Sequence, residues 1–325
     1  MAKEKEIKKK KELIIELEAL KKEKIILDLV DPNKITDLSA FSIIANNSIK
    51  EECCPVSQFG DLHLDEVVNK NIVNNINEYN QQIAYERAER YFSRLLYMNR
   101  KFRKTGTKIN STVIHLVGDF ISGWIHEELM QVSTITPIQA IILVQEILIK
   151  GIKSILENGD LKELIIICSN GNHSRTTKKN HFKNTFDTSY ETLLYYNLQR
   201  YFEKESSVKI LMSESPYIYY DIYGKINKFS HGNHFNYQGG IGGIEVGLNK
   251  WVYRENSVMP FDMAWIGHWH RLINAQKVRI NGSVIGYNEM ARSYGFTPEL
   301  PMMQYQLIDK RRGYTYNCPI ILTDF

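Results

Sequence analysis

The chain has 325 residues, 43% hydrophobic and 24% charged, which suits a folded domain with a sizeable core and excludes a disordered or fibrous chain. Lys and Arg number 41 against 37 Asp and Glu, and the resulting +4 is too mild to argue for nucleic acid by itself. The four cysteines (Cys53, Cys54, Cys168, Cys318) show no CxxC spacing, and the adjacent pair is poorly placed to grip one ion or bond each other; a reduced, cytoplasmic compartment is expected.

Residues 1–50 read as a charged helix and an extension. Lys8 to Lys11 form a basic run with no apolar leader segment after it, and Leu13, Leu17, Leu20 and Ile25 or Ile26 fall near helical spacing. The plain reading is a solvated, charge-laced helix. The alternative is a short coiled-coil seam joining a second copy or a partner. Asp31-Pro32-Asn33 should stop this helix. No apolar run is long enough to span a bilayer: the closest, 138–149, contains Gln139, Gln145 and Glu146, so no membrane partner is expected.

From residue 51 to residue 325 one domain is expected. Apolar runs at 56–59, 112–117, 164–168, 226–230 and 263–266 read as buried strands. Helical patterns at 65–104, at 137–157 with Pro137 at its start, and at 189–203 lie between them. Strands alternating with helices predict an α/β layered fold, and the strand-rich stretch after Val208 predicts a mixed sheet.

Each predicted strand ends in polar residues of one kind. Gly60-Asp61-Leu62-His63 follows the first, Gly118-Asp119 the second and Asn170-Gly171-Asn172-His173 the third. Ser230-His231-Gly232 follows the fourth, and Gly267-His268-Trp269-His270 the fifth. In open α/β sheets ligands bind outside the carboxyl ends of strands, so the five clusters should converge on one crevice. Asp61 and His63 are two apart, as are His268 and His270, and in extended chain such pairs point to the same side. Imidazole mixed with carboxylate is the ligand set of Zn, Mn or Fe, and too nitrogen-rich for Mg or Ca alone.

The ordered series Asp-x-His, Gly-Asp, Gly-Asn-His, His-Gly, Gly-His-x-His resembles the calcineurin-like metallophosphoesterases over about residues 56–309. The late segment Asn281-Gly282-Ser283, Gly286-Tyr287 and Gln304-Tyr305 is similar to the closing strands of their DNA-repair exonuclease-like branch. The resemblance implies a four-layer α/β/β/α sandwich with mixed central sheets. It implies a hydrolase with two divalent ions, Mn foremost and Zn, Fe or Ni as alternatives. Carried over residue by residue, Asp61, His63 and His270 hold one ion, Asn172, His231 and His268 the other, and Asp119 bridges both. His173 then acts on the phosphoryl oxygen or the leaving group. The expected substrate is a phosphodiester, in DNA (a nuclease); the alternative is a phosphoprotein or small nucleotide. Two departures stand out: Ser174 replaces the family's frequent acidic residue after Gly-Asn-His, and Ser122 stands where a polar or acidic residue often follows Gly-Asp.

Taken singly, Asp119 reads as a helix cap and His231 as a turn residue; five motifs in order outweigh both readings. His115, mid-strand, reads as a satisfied core histidine, and His126, His181 and His234 match no motif. Gly239, Gly240, Gly242, Gly243 and Gly247 fit no phosphate-loop spacing and read as a flexible loop. Arg175, Lys178 and Lys179, with His181 and Lys183, directly follow His173; they read as a solvated loop or as contacts to substrate phosphate. The arginines from Arg87 to Arg103 read as a solvated helix face, with a nucleic-acid surface as the lesser alternative.

Overall fold

The structure, a computed structural model, describes residues 2–29, 51–181, 183–235 and 243–323. The chain divides into two compact units, Met1–Ile49 and Lys50–Phe325, each described by itself. The first contributes α1 (Ala2–Leu29), on which Leu13, Ile14, Leu17 and Leu20 are all exposed. The expected stop at Asp31-Pro32-Asn33 lies outside the described residues.

In the second unit strands and helices alternate: β1 (Cys53–Phe59), α2 (Gln81–Lys104), β2 (Ser111–Leu116), α3 (Glu127–Val132), α4 (Pro137–Asn158), β3 (Glu163–Cys168), α5 (Tyr190–Tyr201) and β4 (Val208–Leu211). There follow β5 (Ile218–Ile222), β6 (Lys225–Phe229), α6 (Gly243–Val258), β7 (Met263–Ile266), β8 (Ile273–Asn274) and β9 (Val278–Ile280). The last elements are α7 (Glu289–Ser293), β10 (Met302–Met303), β11 (Tyr305–Asp309), β12 (Gly313–Asn317) and β13 (Ile320–Ile321). Six strands in the order β12-β11-β1-β2-β3-β4 form one sheet, parallel from β1 to β4 and antiparallel at β11 and β12. Five strands in the order β5-β6-β7-β9-β8 form a second mixed sheet, in which β6, β7 and β9 run parallel.

The two-residue period of the strands produces the layers. On β3, Leu164, Ile166 and Cys168 pack into a core that includes Leu95 of α2, Leu148 of α4 and Leu198 of α5. The intervening Ile165 and Ile167 join Val56 and Val113 in a second core, where they meet Ile218, Phe229 and Trp265 of the other sheet. The opposite face of that sheet, through Ala264, Ile266, Val278 and Ile280, packs on Leu248 and Trp251 of α6. Helices, sheet, sheet and helix thus make the four-layer α/β/β/α sandwich with mixed sheets.

Three expectations need correction. The helix expected over 65–104 begins only at Gln81, where the Asn80 side chain accepts from the Ile83 amide as its cap. The preceding stretch is rich in asparagine, and Asn74 and Asn75 hold left-handed backbones at φ 56° and 59° that a helix cannot contain. The glycine-rich stretch is not all loop either: Gly243 and Gly247 lie in α6, while Gly239, Gly240 and Gly242 fall outside the described residues.

Arg87 of α2, expected on a solvated helix face, is instead buried and ties the irregular stretch to the core. Its guanidinium donates to the Val284 and Ile285 carbonyls at 2.8 Å each and to Asn77 Oδ1 at 2.7 Å, and the residue is 4% exposed. Arg87→Met keeps the volume but strands those buried oxygens. It should lower the unfolding free energy by about 3 kcal/mol in a denaturant titration.

Candidate metal centre

The parallel strands of both sheets deliver their carboxyl ends to one place. Asp61 and His63 follow β1, Asp119 follows β2, and Asn172 and His173 follow β3; His231 follows β6, and His268 and His270 follow β7. The backbone turns sharply at each end. Asp61, His63, Asp119, His268 and His270 all have left-handed φ, between 47° and 70°. Asp and His are among the few non-glycine types that tolerate this region, and strain of this kind gathers at functional sites. The turns also pack backbone on backbone. A Cβ at Gly118, whose φ is 96°, would lie 2.3 Å from the Gly171 nitrogen, and one at Gly171 would lie 2.0 Å from Asp119 Oδ1. Only glycine fits at either position.

Two trios of ligand atoms result: Asp61, His63 and His270, and Asp119, His231 and His268. Within each trio the atoms lie within 4.8 Å of one another. His231 Nδ1 faces the Val117 carbonyl at 3.0 Å and donates to it, which turns Nε2 toward Asp119 Oδ2 at 2.9 Å and Asn172 Oδ1 at 3.0 Å. Both oxygens accept, so a positive charge is needed among the three atoms, either a proton or a metal ion. In the other trio His63 Nε2 and His270 Nε2 face each other at 3.2 Å, and His270 Nε2 lies 3.5 Å from Asp61 Oδ1. This donor set fits divalent cations of the borderline class.

The titration of these groups follows the same geometry. Burial alone would raise the Asp119 carboxyl, but His231 and His173 beside it hold it well below the usual carboxylate range. Burial disfavours charge on His231, yet Asp119 overrides it and lifts the ring to about 9. His63 likewise reaches about 9 against burial, through Glu66 and then Asp119 and Asp61. His268 and His173 are pushed down by burial, to about 3 and about 4. The carboxylates thus favour positive charge on His231 and His63 in spite of their burial.

Three carboxylates absent from the sequence reading position the ligands. Glu66 lies 3.3 Å from His63 Nδ1 and accepts from the Ser122 hydroxyl, which itself lies 2.6 Å from the same nitrogen. Ser122 is therefore part of the brace on His63. Asp65 accepts the Ser122 and Gly123 amides at 2.6 and 2.9 Å. Glu191, at the start of α5 and fully buried, accepts Phe120 N at 2.8 Å and Gly171 N at 2.6 Å, which joins the turns after β2 and β3. Burial, with Asp119 nearby, raises its carboxyl to about 7. The run Asp61-Leu62-His63-Leu64-Asp65-Glu66 is the local signal for two of these residues; Glu191 has none.

The remaining candidates fall as follows. The His173 amide donates to Asp119 Oδ1 at 2.7 Å, and its ring stands edge-on to His63 with centroids 4.9 Å apart. Arg175 donates to the carbonyls of Asn172, Thr177 and Lys178, so its guanidinium braces the loop; Lys178 and Lys179 are exposed. His115 is fully buried, between Gln58 Nε2 at 3.1 Å and Ser169 Oγ at 2.9 Å. A third group, Glu51, Cys53 and Asp309, has its acid charge met by Arg312, 2.5 Å from Glu51 and 3.4 Å from Asp309.

Gly171→Ala tests the packing. The methyl group must displace Asp119, so uptake of added divalent metal should fall sharply in elemental analysis while far-ultraviolet circular dichroism stays that of the wild type.

No family model and no curated protein sequence matches the chain. Among solved structures, an archaeal phosphodiesterase aligns over 82% of this chain and 99% of its own at 13% identity, with a TM-score of 0.36. A hypothetical protein of Pyrococcus horikoshii aligns over 82% and 87% at 11% identity, TM-score 0.39. Vacuolar protein sorting 29 of Cryptosporidium parvum aligns over 82% and 96% at 14% identity, TM-score 0.30. At these scores the alignments carry no weight for the chemistry of this chain; its own layers and strand ends do. Four layers, two mixed sheets and five ligand-bearing strand ends in this order are the arrangement that the resemblance noted in the sequence implies.

Proposed function

We propose that the chain is a dinuclear metal-dependent phosphodiesterase. The observation that carries this reading is the pair of Asp-His trios at the strand ends of two facing sheets. Asp61, His63 and His270 would hold one divalent cation, Mn foremost, and Asn172, His231 and His268 the other, with Asp119 common to both. Two such cations would clamp a phosphoryl group and acidify a water for in-line attack.

The protein's own part is positional. Val117 and the Glu66–Ser122 pair turn the imidazoles of His231 and His63 toward the site. His173 Nδ1 lies 3.3 Å from the Ser122 carbonyl, which leaves Nε2 to face a substrate. Burial pushes this ring down to about 4. A phosphoryl anion beside the ring would favour its protonated form, the form that can protonate a leaving group.

DNA is the polymer substrate suggested by the exonuclease-like closing segment. The arginines of α2 lend it little support, because they are engaged on carbonyls: Arg94 on Ile321 and Thr323, Arg100 on Asn158, and Arg103 on Gly159, Asp160 and Ile109. A small nucleotide ester is accordingly the second reading.

Two measurements test this. Asp119→Asn and His268→Ala should lose metal in elemental analysis and nearly all turnover, whereas His173→Ala should keep its metal and lose rate by roughly 10²–10⁴-fold. Equal metal loss in all three would refute the division of roles. Cleavage of DNA should weaken steeply across a salt series, with a log–log slope of about −0.7 to −0.9 per phosphate contacted, and cleavage of a small diester only shallowly. Rapid small-ester cleavage with no DNA cleavage at low salt would remove DNA as substrate.

A further inference from the structure

Beside the turn that carries Asn172 lies a cavity of about 310 Å³, formed by the end of β3, the loop before α5, the link between β4 and β5, and the turn after β6. We propose that it is a subsite for the nucleoside part of the substrate; this rests on the phosphodiesterase reading above and names what the ester carries.

Position comes first. Gly171 and Asn172 line the cavity, and Asn172 Oδ1 touches the His231 of the second trio. A group seated there therefore lies beside the second trio, next to where an ester held at the trios would stand. Size comes second. The volume is at the lower end of the roughly 300–1,000 Å³ of small-molecule sites and suits one nucleoside rather than a stacked duplex.

The lining decides the chemistry. Phe186 offers a flat ring, Asn180 and Asn233 offer amides, Ser213 offers a hydroxyl and Glu214 a carboxylate. With Arg175 and Glu214 the only fully charged types in the lining, one of each sign, this is a surface of aromatic face and hydrogen-bonding edge without a net cationic character, which suits a base and sugar. A second phosphate would want free cations. Among the described residues no lysine lines the cavity, and Arg175 is engaged on three carbonyls. Burial pushes His234 down, toward its neutral form.

Phe186 is also held in place. Its carbonyl accepts from the Thr192 hydroxyl at 2.5 Å, and the same hydroxyl oxygen accepts from Asn170 Nδ2 at 2.7 Å. Because Thr192 gives its single proton to Phe186, it can only accept from Asn170. The amide of Asn170 is thereby oriented, and its Oδ1, buried in the cavity wall, has no partner among the described residues. The strand end that carries the metal ligands is thus linked by two hydrogen bonds to the ring proposed to stack on the base.

The test uses the full chain loaded with Mn and two p-nitrophenyl diesters, one of thymidine 5′-phosphate and one of methyl phosphate. Wild type should prefer the thymidine ester. Phe186→Ala should reduce that preference in kcat/KM about tenfold, the scale of one lost stacking contact. Binding of free adenosine and thymidine, followed by calorimetry, should weaken to a similar extent. Ser215→Trp, on an exposed loop at the cavity, should fill the space and weaken nucleoside binding without touching the core, so it serves if Phe186→Ala fails to fold. Ester cleavage without nucleoside preference, or equal losses on both esters, overturns the subsite and leaves the phosphodiesterase reading intact. Nucleoside binding that both substitutions weaken, with neither ester cleaved, keeps the subsite and sinks the phosphodiesterase.

Discussion

His231 Nε2, Asp119 Oδ2 and Asn172 Oδ1 meet within hydrogen-bond distance, and each offers a lone pair to the others. Such a cluster is repulsive in a low-dielectric interior unless positive charge lies within it. Most of what surrounds the centre serves to hold acceptors together against that repulsion. The Val117 carbonyl fixes one imidazole, Ser122 and Glu66 fix another, and backbone amides hold Asp119 and Asp61. The same requirement explains the histidine-rich character of the site: imidazole can carry a proton when metal is absent and release it when metal arrives.

The layers make the convergence geometrically cheap. Parallel strands in both sheets end on the same side, so five short turns suffice, and no long loop has to reach in. The turns are then locked to one another by buried charged groups used as connectors. Glu191 joins the turns after β2 and β3, Asp65 caps the Ser122 turn, and Arg87 gathers the carbonyls of Val284 and Ile285. Each satisfies several backbone groups at once, which lets irregular chain be buried beside the core.

Much of this was legible in the residue order, because local rules govern it. The runs at 56–59, 112–117 and 164–168 fall within β1, β2 and β3 to within a few residues, since strands buried on both faces read as continuous apolar stretches. Asp61 with His63 and His268 with His270 do gather at the centre, but not for the extended-chain reason the i, i+2 spacing suggested: all four have left-handed backbones, and His268 and His270 fall in different trios. What failed was non-local or offset by composition. The stretch from Asp65 to Asn80 was read as the start of a long helix, yet its asparagines favour turns. Glu191 lies 72 positions beyond Asp119, and only the pairing of β2 with β3 brings α5 to the turns. The basic residues after His173 advertised charge without revealing that Arg175 has carbonyl partners, and short β4 and β5, half-buried, carry too little apolar signal to stand out.

The left-handed backbones at Asp61, His63, Asp119, His268 and His270 limit how this centre can change over time. Elsewhere a metal ligand can be exchanged for any residue with a suitable donor atom. Here the newcomer must also tolerate positive φ, which disfavours most side chains and leaves Asn, Asp, His and Gly as the easy exchanges. Glutamate and cysteine, both capable ligands in chemical terms, would enter with a backbone penalty added to the change of reach. Drift at these five positions should therefore run along a narrow track, from ligand to near-isosteric ligand or to glycine and loss of the metal, with few routes to a different coordination chemistry.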